Sequence, residues 1–436
     1  MPQRFVGADR DQPFLLAPDM REWLPADHLV WLVIDAVETM DLEAFRAAHR
    51  DDGNGRPAFD PALMIGLLLY GYCQGERSSR QIERGCVEDV AYRVIAGGHR
   101  PDHATIARFR ARHEAALGIV FTEVLRLLAA DGLVQLGRIA IDGTRIEADA
   151  SWGSNKTLPQ IEQMLAEAAA ADAAEDAELG ERRGDELPPG LADPQGRRAR
   201  LAAARDRLAA EDAAKSSAQQ AKLEAWEARA AERGGRAPRG RKPNPEPPLG
   251  GARSGRSPRA CVTDPDARVM RRKHTLITGY NAQLAVTADQ VIVGATVVQQ
   301  SADVGLLPTV LERCRDQLRE ADIDPRLRTV LADTGYASED TFAAGHADGL
   351  RLLIPLQSNN KGKQPHTAAA VRRLRHPRGQ ADYKLRAQTV EPTIGQLKTC
   401  QNMTRFSRRG LEACTSEWLF ACAAHNLTKL HRHRRS

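Results

Sequence analysis

The spacing of apolar residues predicts that the N-terminal third of the chain is helical. Up to about residue 135, apolar positions recur with helical spacing in several short segments. Asp60, Ser78 and Asp102 precede three of these segments, and such residues are typical N-caps. We therefore predict short helices joined by tight turns, which cover residues 28–37, 61–73, 79–86 and 102–117.

Beyond residue 135 the pattern changes to strand-like segments that alternate with helical ones. Short apolar runs and a turn at residues 288–290 predict strands. They cover residues 138–142, 280–287, 291–299, 328–333 and 351–356. Helical spacing predicts helices that cover residues 303–320, 338–346 and, after a basic loop, 383–398. The order is strand, strand, strand, helix, strand, helix, strand, helix, which is the element order of the ribonuclease-H-like fold.

Residues 155–260 interrupt this order directly after the first strand. Ala, Glu and Arg dominate residues 161–178 and 197–232, which favours long exposed helices, whereas the stretches beside them are rich in Pro, Gly and Arg. We interpret the segment as an insertion into the fold. It is either an exposed helical hairpin or a clamp on DNA or on a second subunit, with the basic residues 236–259 as its arm.

Composition adds a preference for a polyanionic partner. The chain has 436 residues, enough for two or three domains, and a formal net charge of +5. Lys and Arg clusters concentrate in the half that carries the strands, and such residues gain affinity for phosphates by releasing counterions. Solvated surface charge is the alternative interpretation. The clusters are residues 236–242, 253–259, 268–273, 372–378, 405–409 and 431–435.

Several classes of protein are disfavoured. The seven cysteines include no Cys-x-x-Cys pair, which argues against a disulfide framework and a zinc site and fits a reducing cytoplasm. No apolar run reaches the ~18 residues of a membrane span, and the first residues do not resemble a signal peptide. The chain lacks a Gly-rich loop ending in Gly-Lys-Ser/Thr, so we expect no nucleotide cofactor.

Three carboxylates occupy positions that a strand or helix can hold rigid. Asp142 and Asp333 each follow a short apolar run, and Glu391 lies on the last predicted helix. In a ribonuclease-H-like sheet the first and fourth strands are parallel neighbours, so Asp142 and Asp333 would meet. Mg²⁺ prefers oxygen ligands, and two such ions can stabilise the attacking and leaving oxygens of a displacement at phosphorus. We therefore predict a metal-dependent phosphodiester site.

The same residues carry a resemblance to the DDE transposases of bacterial insertion sequences. The last helix of that superfamily contains Tyr, two residues, Arg, three residues, Glu, six residues and Lys. This chain has Tyr383, Arg386, Glu391 and Lys398, with four residues instead of three between Arg and Glu. The stretches 263–268 with 279–283, and 332–336, resemble segments that flank the catalytic core of the family.

The resemblance implies a fold class, a chemistry and roles for these residues. It implies an α/β, ribonuclease-H-like mixed sheet flanked by helices, in which Asp142, Asp333 and Glu391 hold two Mg²⁺ ions, replaceable by Mn²⁺. A water molecule would hydrolyse the DNA at the end of the insertion sequence, and the freed 3′-hydroxyl would attack target DNA. Arg386 and Lys398 would neutralise backbone phosphates, and Tyr383 would stack on or pack against a displaced nucleotide.

The resemblance also implies that the N-terminal helices recognise DNA. A helix-turn-helix reader of the terminal inverted repeats would use arginines that project from these helices. The candidates are Arg80, Arg84, Arg100, Arg108, Arg110 and Arg112. The predicted domains are a DNA-binding domain at 1–135, a catalytic domain at 136–154 and 261–430, and an insertion at 155–260.

The implied protein is a cytoplasmic, nucleoid-associated transposase that forms a homodimer or higher oligomer on double-stranded DNA. Two alternatives compete with this interpretation. A catalytically silent regulator derived from a transposase would be expected to have lost a carboxylate, and all three are present. A ribonuclease-H-like nuclease without strand transfer would carry the same motifs, so that alternative stays open.

Overall fold

A computed structural model of the protein describes most of the chain. It describes residues 19–47, 58–179, 194–233, 237–238, 241–244, 257–272, 274–356 and 364–435. Parts of the basic clusters predicted at 236–242 and 253–259, namely residues 236, 239–240 and 253–256, therefore lie outside the described residues. No helix in the described ranges combines the length and apolarity that crossing a membrane requires.

The structure is mixed α/β, with a helical N-terminal region. The helices of that region are α1 (Leu29–Thr39), α2 (Glu43–Arg46), α3 (Pro61–Cys73), α4 (Ser79–Glu88), α5 (Val90–Ile95), α6 (His103–Arg112) and α7 (Glu114–Ala130). The first strands and the insertion follow as β1 (Arg138–Glu147), β2 (Asn155–Lys156), α8 (Leu158–Leu179), α9 (Pro194–Ala231) and β3 (Ala260–Cys261). The C-terminal part contains β4 (Arg268–Arg272), β5 (Thr275–Thr287), β6 (Ile292–Val298), α10 (Leu307–Glu320), β7 (Thr329–Leu331), α11 (Glu339–Ala347), β8 (Arg351–Leu353), α12 (Pro365–Arg375), α13 (Pro377–Lys384), α14 (Arg386–Thr399) and α15 (Leu411–Arg434).

The N-terminal helices begin close to the predicted positions. The side chains of Asp60 and Asp102 cap α3 and α6, whereas Ser78 occupies the N-cap of α4 without a capping side-chain hydrogen bond. The single helix predicted at 102–117 was wrong, because the chain turns at His113 between α6 and α7. The buried His113 ring lies against the rings of Phe45 and Phe109, and that packing holds the turn.

The central sheet has β1 in its middle. β1 pairs antiparallel with β5 and parallel with β7, and β7 pairs parallel with β8. β4 and β6 both pair with the other edge of β5. The five predicted strands are confirmed, although β5 begins at Thr275 and β8 ends at Leu353. α10 begins at Leu307 rather than at Asp303, since Pro308 favours the first turn of a helix.

The basic loop predicted before residue 383 was wrong, because the described part of that segment is helical. Residues 365–375 form α12 and residues 377–384 form α13. Both helices have a proline at their first position, where its fixed φ suits a helix and its missing amide hydrogen is not needed. The three alanines at 368–370 favour helix within α12.

The last helix, α15, joins the helical region to the sheet. It packs against α3 and α7 on one side and against β6 on the other, within one continuous hydrophobic core. Trp418 is fully buried there, and the Asn426 amide bonds both the backbone N–H (2.9 Å) and the carbonyl (2.8 Å) of Ile292. Asn426 thereby satisfies backbone groups of an edge strand, which otherwise would need water.

The insertion has a separate and much smaller core. The two predicted long helices are confirmed as α8 and α9, which pack against each other. The ends of the insertion meet where β2 pairs antiparallel with β3. The buried residues that form its core are Ile161, Leu201, Ala204, Leu208 and Ala260.

Candidate active site

Asp142 and Asp333 lie at the same end of the parallel strand pair β1 and β7. The register of that pair places Ala140 opposite Leu331, and each aspartate follows two residues later in its own chain. Asp142 accepts a hydrogen bond from the Gly143 amide (2.8 Å), and Asp333 accepts one from the Gly335 amide (2.8 Å). The second bond caps the turn that follows β7.

Arg386 connects two of the three predicted carboxylates. Its Nη2 donates to Oδ2 of Asp142 at 2.6 Å, and its Nη1 donates to Oε1 of Glu391 at 3.1 Å. The side chains of Arg386 and Asp142 are 12 % and 17 % exposed, whereas the side chain of Glu391 is 55 % exposed. Arg386 thus brings a strand carboxylate and a helix carboxylate to one positive charge.

Electrostatics place Asp333 in the same cluster. Burial raises the pKa of Asp142 to about 6; Arg386 opposes this shift, while the negative charges of Asp333 and Asp303 add to it. The pKa of Tyr383 is raised, first by burial and then by Asp333, Asp142 and Glu391, with Arg386 opposing. All three predicted carboxylates therefore act on groups at one end of the sheet.

The helix that carries Glu391 is stabilised around its proline. Pro392 cannot donate to the carbonyl of Gln388, four residues earlier, because it has no amide hydrogen. The side-chain amide of Gln290, from the turn between β5 and β6, donates to that carbonyl instead, at 3.0 Å. The sheet hairpin therefore supports α14 at the point where the helix is weakest.

The prediction of a single helix at 383–398 was wrong, because a turn at Leu385 separates two helices. Tyr383 lies half-buried on α13, and Arg386, Glu391 and Lys398 lie on α14. Lys398 is in the last turn of α14, ~10 Å along the helix from Glu391. The structure thus brings Arg386 and Glu391 to the cluster, and Lys398 lies two turns away.

A buried polar network, which the sequence pattern did not predict, lies beside the carboxylates. Asp303, 11 % exposed, accepts hydrogen bonds from Asn281 (2.8 Å) and Gln283 (3.1 Å). It also accepts one from Arg145 (3.0 Å). The Tyr336 hydroxyl donates to the carbonyl oxygen of the Gln283 side chain. One signal was available for Asp303, because it follows a predicted strand closely, as Asp142 and Asp333 do.

Two glycines allow this network to approach the aspartates. A Cβ on Gly143 would lie 2.2 Å from Nε2 of Gln283, and one on Gly335 would lie 2.9 Å from Oδ1 of Asp333. Real Cβ atoms do not come so close to other heavy atoms, so a side chain at Gly143 would push the Gln283 amide aside. Gly143 and Gly335, which follow Asp142 and Asp333 in the chain, therefore have a packing role.

Four of the arginines predicted to read DNA lie on two helices that contact each other, and Arg100 lies exposed between α5 and α6. Arg80 and Arg84 lie exposed on α4, and Arg108 and Arg112 lie exposed on α6. Arg110 was wrongly placed with them. It is 8 % exposed, donates to the carbonyl of Arg77 and lies over the ring of Tyr72, so it is part of the core.

The chemistry of the cluster suits a hard cation, although the side chains are not arranged as a metal site. No group of three or more His, Cys, Asp or Glu within the described residues has metal-binding geometry. The donors are all carboxylate oxygens, which Mg²⁺ prefers. Two of them, from Asp142 and Glu391, already face the guanidinium of Arg386.

Two protein families match separate parts of the chain. A transposase domain (DUF772) matches residues 18–112, which include α1 to α6. A transposase DDE domain matches residues 355–431, which include Tyr383, Arg386, Glu391 and Lys398. No curated protein and no solved structure matches. The two family matches agree with the resemblance of the motifs and support a DDE transposase of insertion sequences.

Proposed function

We propose that this transposase binds the terminal inverted repeats of its insertion sequence and catalyses metal-dependent DNA cleavage and strand transfer. Asp142, Asp333 and Glu391 are the proposed catalytic residues. The observation that carries the proposal is the convergence of these carboxylates, two through the parallel pair of β1 and β7 and one through Arg386. No element of the site requires a covalent protein intermediate.

The strand arrangement supports a ribonuclease-H-like assignment for the sheet. The predicted strands occur in the spatial order β6, β5, β1, β7, β8, with β5 antiparallel to β1, and β7 and β8 parallel to it. This order makes the first and fourth predicted strands neighbours, as that fold requires. We further propose a DNA-binding region at 1–135 and a catalytic region at 136–154 and 261–430.

Asp142, Asp333 and Glu391 would hold the divalent metal, proposed to be two Mg²⁺ ions. The metal would lower the pKa of water and neutralise charge that develops at phosphorus. The chain contributes rigid placement of the carboxylates, through the cap at Asp333 and the network around Asp303. Lys398 and Tyr383 are proposed to contact the DNA backbone and a displaced nucleotide.

Arg386 is proposed to compete with cations for the carboxylates. Its guanidinium uses Oδ2 of Asp142 at 2.6 Å, so that oxygen cannot bind a cation until the arginine moves. A DNA phosphate is the natural alternative partner, because arginine pairs well with phosphate oxygens. DNA binding would then release the carboxylates, which links substrate capture to metal loading.

The competition can be tested without any activity measurement. In the absence of DNA, Arg386→Ala should bind Mn²⁺ about tenfold more tightly than the wild type, measured by electron paramagnetic resonance of free Mn²⁺. Lys398→Ala is the matched control, because it removes one positive charge from the same helix without touching Asp142, and its Mn²⁺ affinity should change far less. Equal or weaker Mn²⁺ binding by Arg386→Ala would refute the competition.

The catalytic assignment is tested by separating cleavage from binding. Asp142→Asn, Asp333→Asn and Glu391→Gln should each reduce cleavage of repeat-containing DNA by at least about 10²-fold while retaining DNA affinity. Asp149→Asn is the control, because Asp149 pairs with Arg405 and Arg409 and not with Arg386. Mn²⁺ should replace Mg²⁺, whereas Ca²⁺ should support binding with little cleavage. A variant that still cleaves would remove its residue from the site.

A strand-transfer assay separates the two alternatives. A silent regulator would bind the repeats without cutting, and a nuclease would cut without joining the 3′ end to target DNA. The proposed recognition residues, Arg80, Arg84, Arg108 and Arg112, are tested by the loss of preference for repeats over random DNA. The proposed oligomer on DNA is tested by sedimentation with paired ends.

A further inference from the structure

A groove lined by basic residues opens beside the start of β8, on the side of the sheet covered by α12 and α13. It is an open depression of about 620 Å³. We call it the basic groove. Its charged lining consists of Arg351, Arg372, Arg373, His376, Arg378 and Asp382.

Among the described residues, most of the positive charge of the basic groove has no acidic partner. Its one lining acid, Asp382, is shared between Arg351 (2.5 Å) and Arg138 (2.8 Å). Arg372, Arg373 and Arg378 form no ion pair with any described residue. An anion that entered would therefore meet three guanidinium groups already free of carboxylates.

The groove is also held in one shape. Gly379 is buried at the elbow between α12 and α13, where a Cβ would lie 2.0 Å from the carbonyl oxygen of Arg373. The absence of a side chain at Gly379 allows the two helices to approach closely, and the ion pairs of Asp382 tie α13 to the first residues of β1 and β8. A ligand would consequently spend little binding energy on ordering these elements.

The distance between the groove and Asp142 can be estimated along β1, because Arg138 pairs with Asp382 of the groove. Arg138 begins β1 beside the groove, and Asp142 lies four residues further on. At about 3.3 Å per residue that separation is ~13 Å. A DNA strand advances about 3.4 Å per nucleotide, so the distance corresponds to about four nucleotides.

We propose that the basic groove binds backbone phosphates of the DNA that is cut, about four nucleotides from the scissile phosphate. Only this placement rests on the proposed function; the affinity of the groove for DNA phosphates does not. The contact is independent of base sequence, because guanidinium groups that pair with phosphates do not read base edges.

The first experiment measures the salt dependence of binding to a fluorescein-labelled 30-base-pair duplex of random sequence, in EDTA. Each phosphate contact contributes about 0.9 to the slope of log affinity against log salt. Arg372→Ala/Arg373→Ala/Arg378→Ala should lower the slope by about two to three. The control is Arg313→Ala/Arg319→Ala/Arg326→Ala, which removes three charges that pair with acidic residues on α10 and the loop after it.

An unchanged slope in the groove variant, or an equal fall in the control, would overturn the proposal. Should the triple variant fail to fold by circular dichroism, Arg372→Gln on the exposed face of α12 replaces it, with an expected fall of about one. Because no cleavage is measured, a wild type that never cuts DNA would refute the proposed function and leave this result standing.

The second experiment tests the placement. Single methylphosphonates, which remove one backbone charge, are introduced at successive positions around the cleavage site. A substitution near the fourth nucleotide should weaken binding by the wild type about three- to tenfold and should have no further effect on the groove variant. Sensitivity confined to other positions would overturn the placement at four nucleotides.

Discussion

The N-terminal helices and the insertion are both helical units added to the same sheet, yet they are attached in opposite ways. α3 and α7 pack on α15 within the core that continues into the sheet. α8 and α9 instead cover a core of their own, joined to the sheet where β2 pairs with β3. One unit is built into the protein, and the other is an appended module.

A buried ion pair shows how firmly the first unit is built in. Arg77, after α3, donates to Glu417 of α15 at 2.8 Å, and their side chains are 13 % and 2 % exposed. Glu417 also accepts from the amides of Ser407 (2.9 Å) and Arg408 (3.2 Å), in the loop that follows α14. Arg77, which directly precedes the helices proposed to read DNA, is thus linked to the loop between α14 and α15.

The largest expected effect comes from breaking that ion pair. Arg77→Met should lower the free energy of unfolding by about 3–5 kcal/mol, because it leaves the charge of the buried Glu417 without a positive partner. Arg434→Met is the control, since its pair with Asp131 is half-exposed and should contribute at most about 1 kcal/mol. Urea unfolding measures both. Similar losses in the two variants would show that the link is no stronger than a surface pair.

A matched pair of leucine truncations compares the two cores directly. Leu125 of α7 is fully buried in the shared core, and Leu201 of α9 is 1 % exposed in the core of the insertion. Leu125→Ala should cost about 2–5 kcal/mol of global stability. Leu201→Ala should accelerate hydrogen exchange only within α8 and α9. Faster exchange throughout the sheet in Leu201→Ala would contradict the separation of the cores.

A buried histidine in the shared core predicts that the free energy of unfolding depends on pH. Burial lowers the pKa of His425 on α15 to about 4, and its Nε2 donates to the carbonyl of Gln290 at 3.0 Å. The unfolded chain takes up a proton on His425 at a higher pH than the folded chain. The contribution of neutral His425 to the free energy of unfolding is therefore fully present above about pH 6.5 and is lost as the pH falls towards 4. The loss is about 3 kcal/mol. His425→Gln should flatten the fall in the unfolding free energy over this range, and an equal fall would exclude His425 as its source.

The smallest effect is expected from removing the insertion. Replacing residues 158–258 with a short Gly/Ser linker that preserves β2 and β3 should change the stability of the remainder by less than about 1 kcal/mol, because the insertion has its own core. Thermal unfolding tests this. If the insertion is a clamp, the shortened protein should assemble poorly on paired DNA ends. A collapse of the sheet would show that the insertion is not a separate module.

Much of this fold could be predicted because its signals are local. Short apolar runs predicted every strand of the C-terminal part from β5 to β8, and the caps at Asp60 and Asp102 predicted where two helices begin. Helix breaks were missed at His113 and Leu385. The first depends on aromatic packing against Phe45 and Phe109, which no spacing within the helix reveals.

By itself the sequence determined the element order, the insertion and the three candidate carboxylates, since periodicity and motif spacing are properties of neighbouring residues. Only the tertiary structure decided that Arg386 lies between Asp142 and Glu391, that Asp303 joins the site and that Arg110 is buried. These outcomes depend on which charged groups become neighbours when distant segments pack. Burial weakens screening by water, so each buried charge requires a partner that only the complete fold supplies.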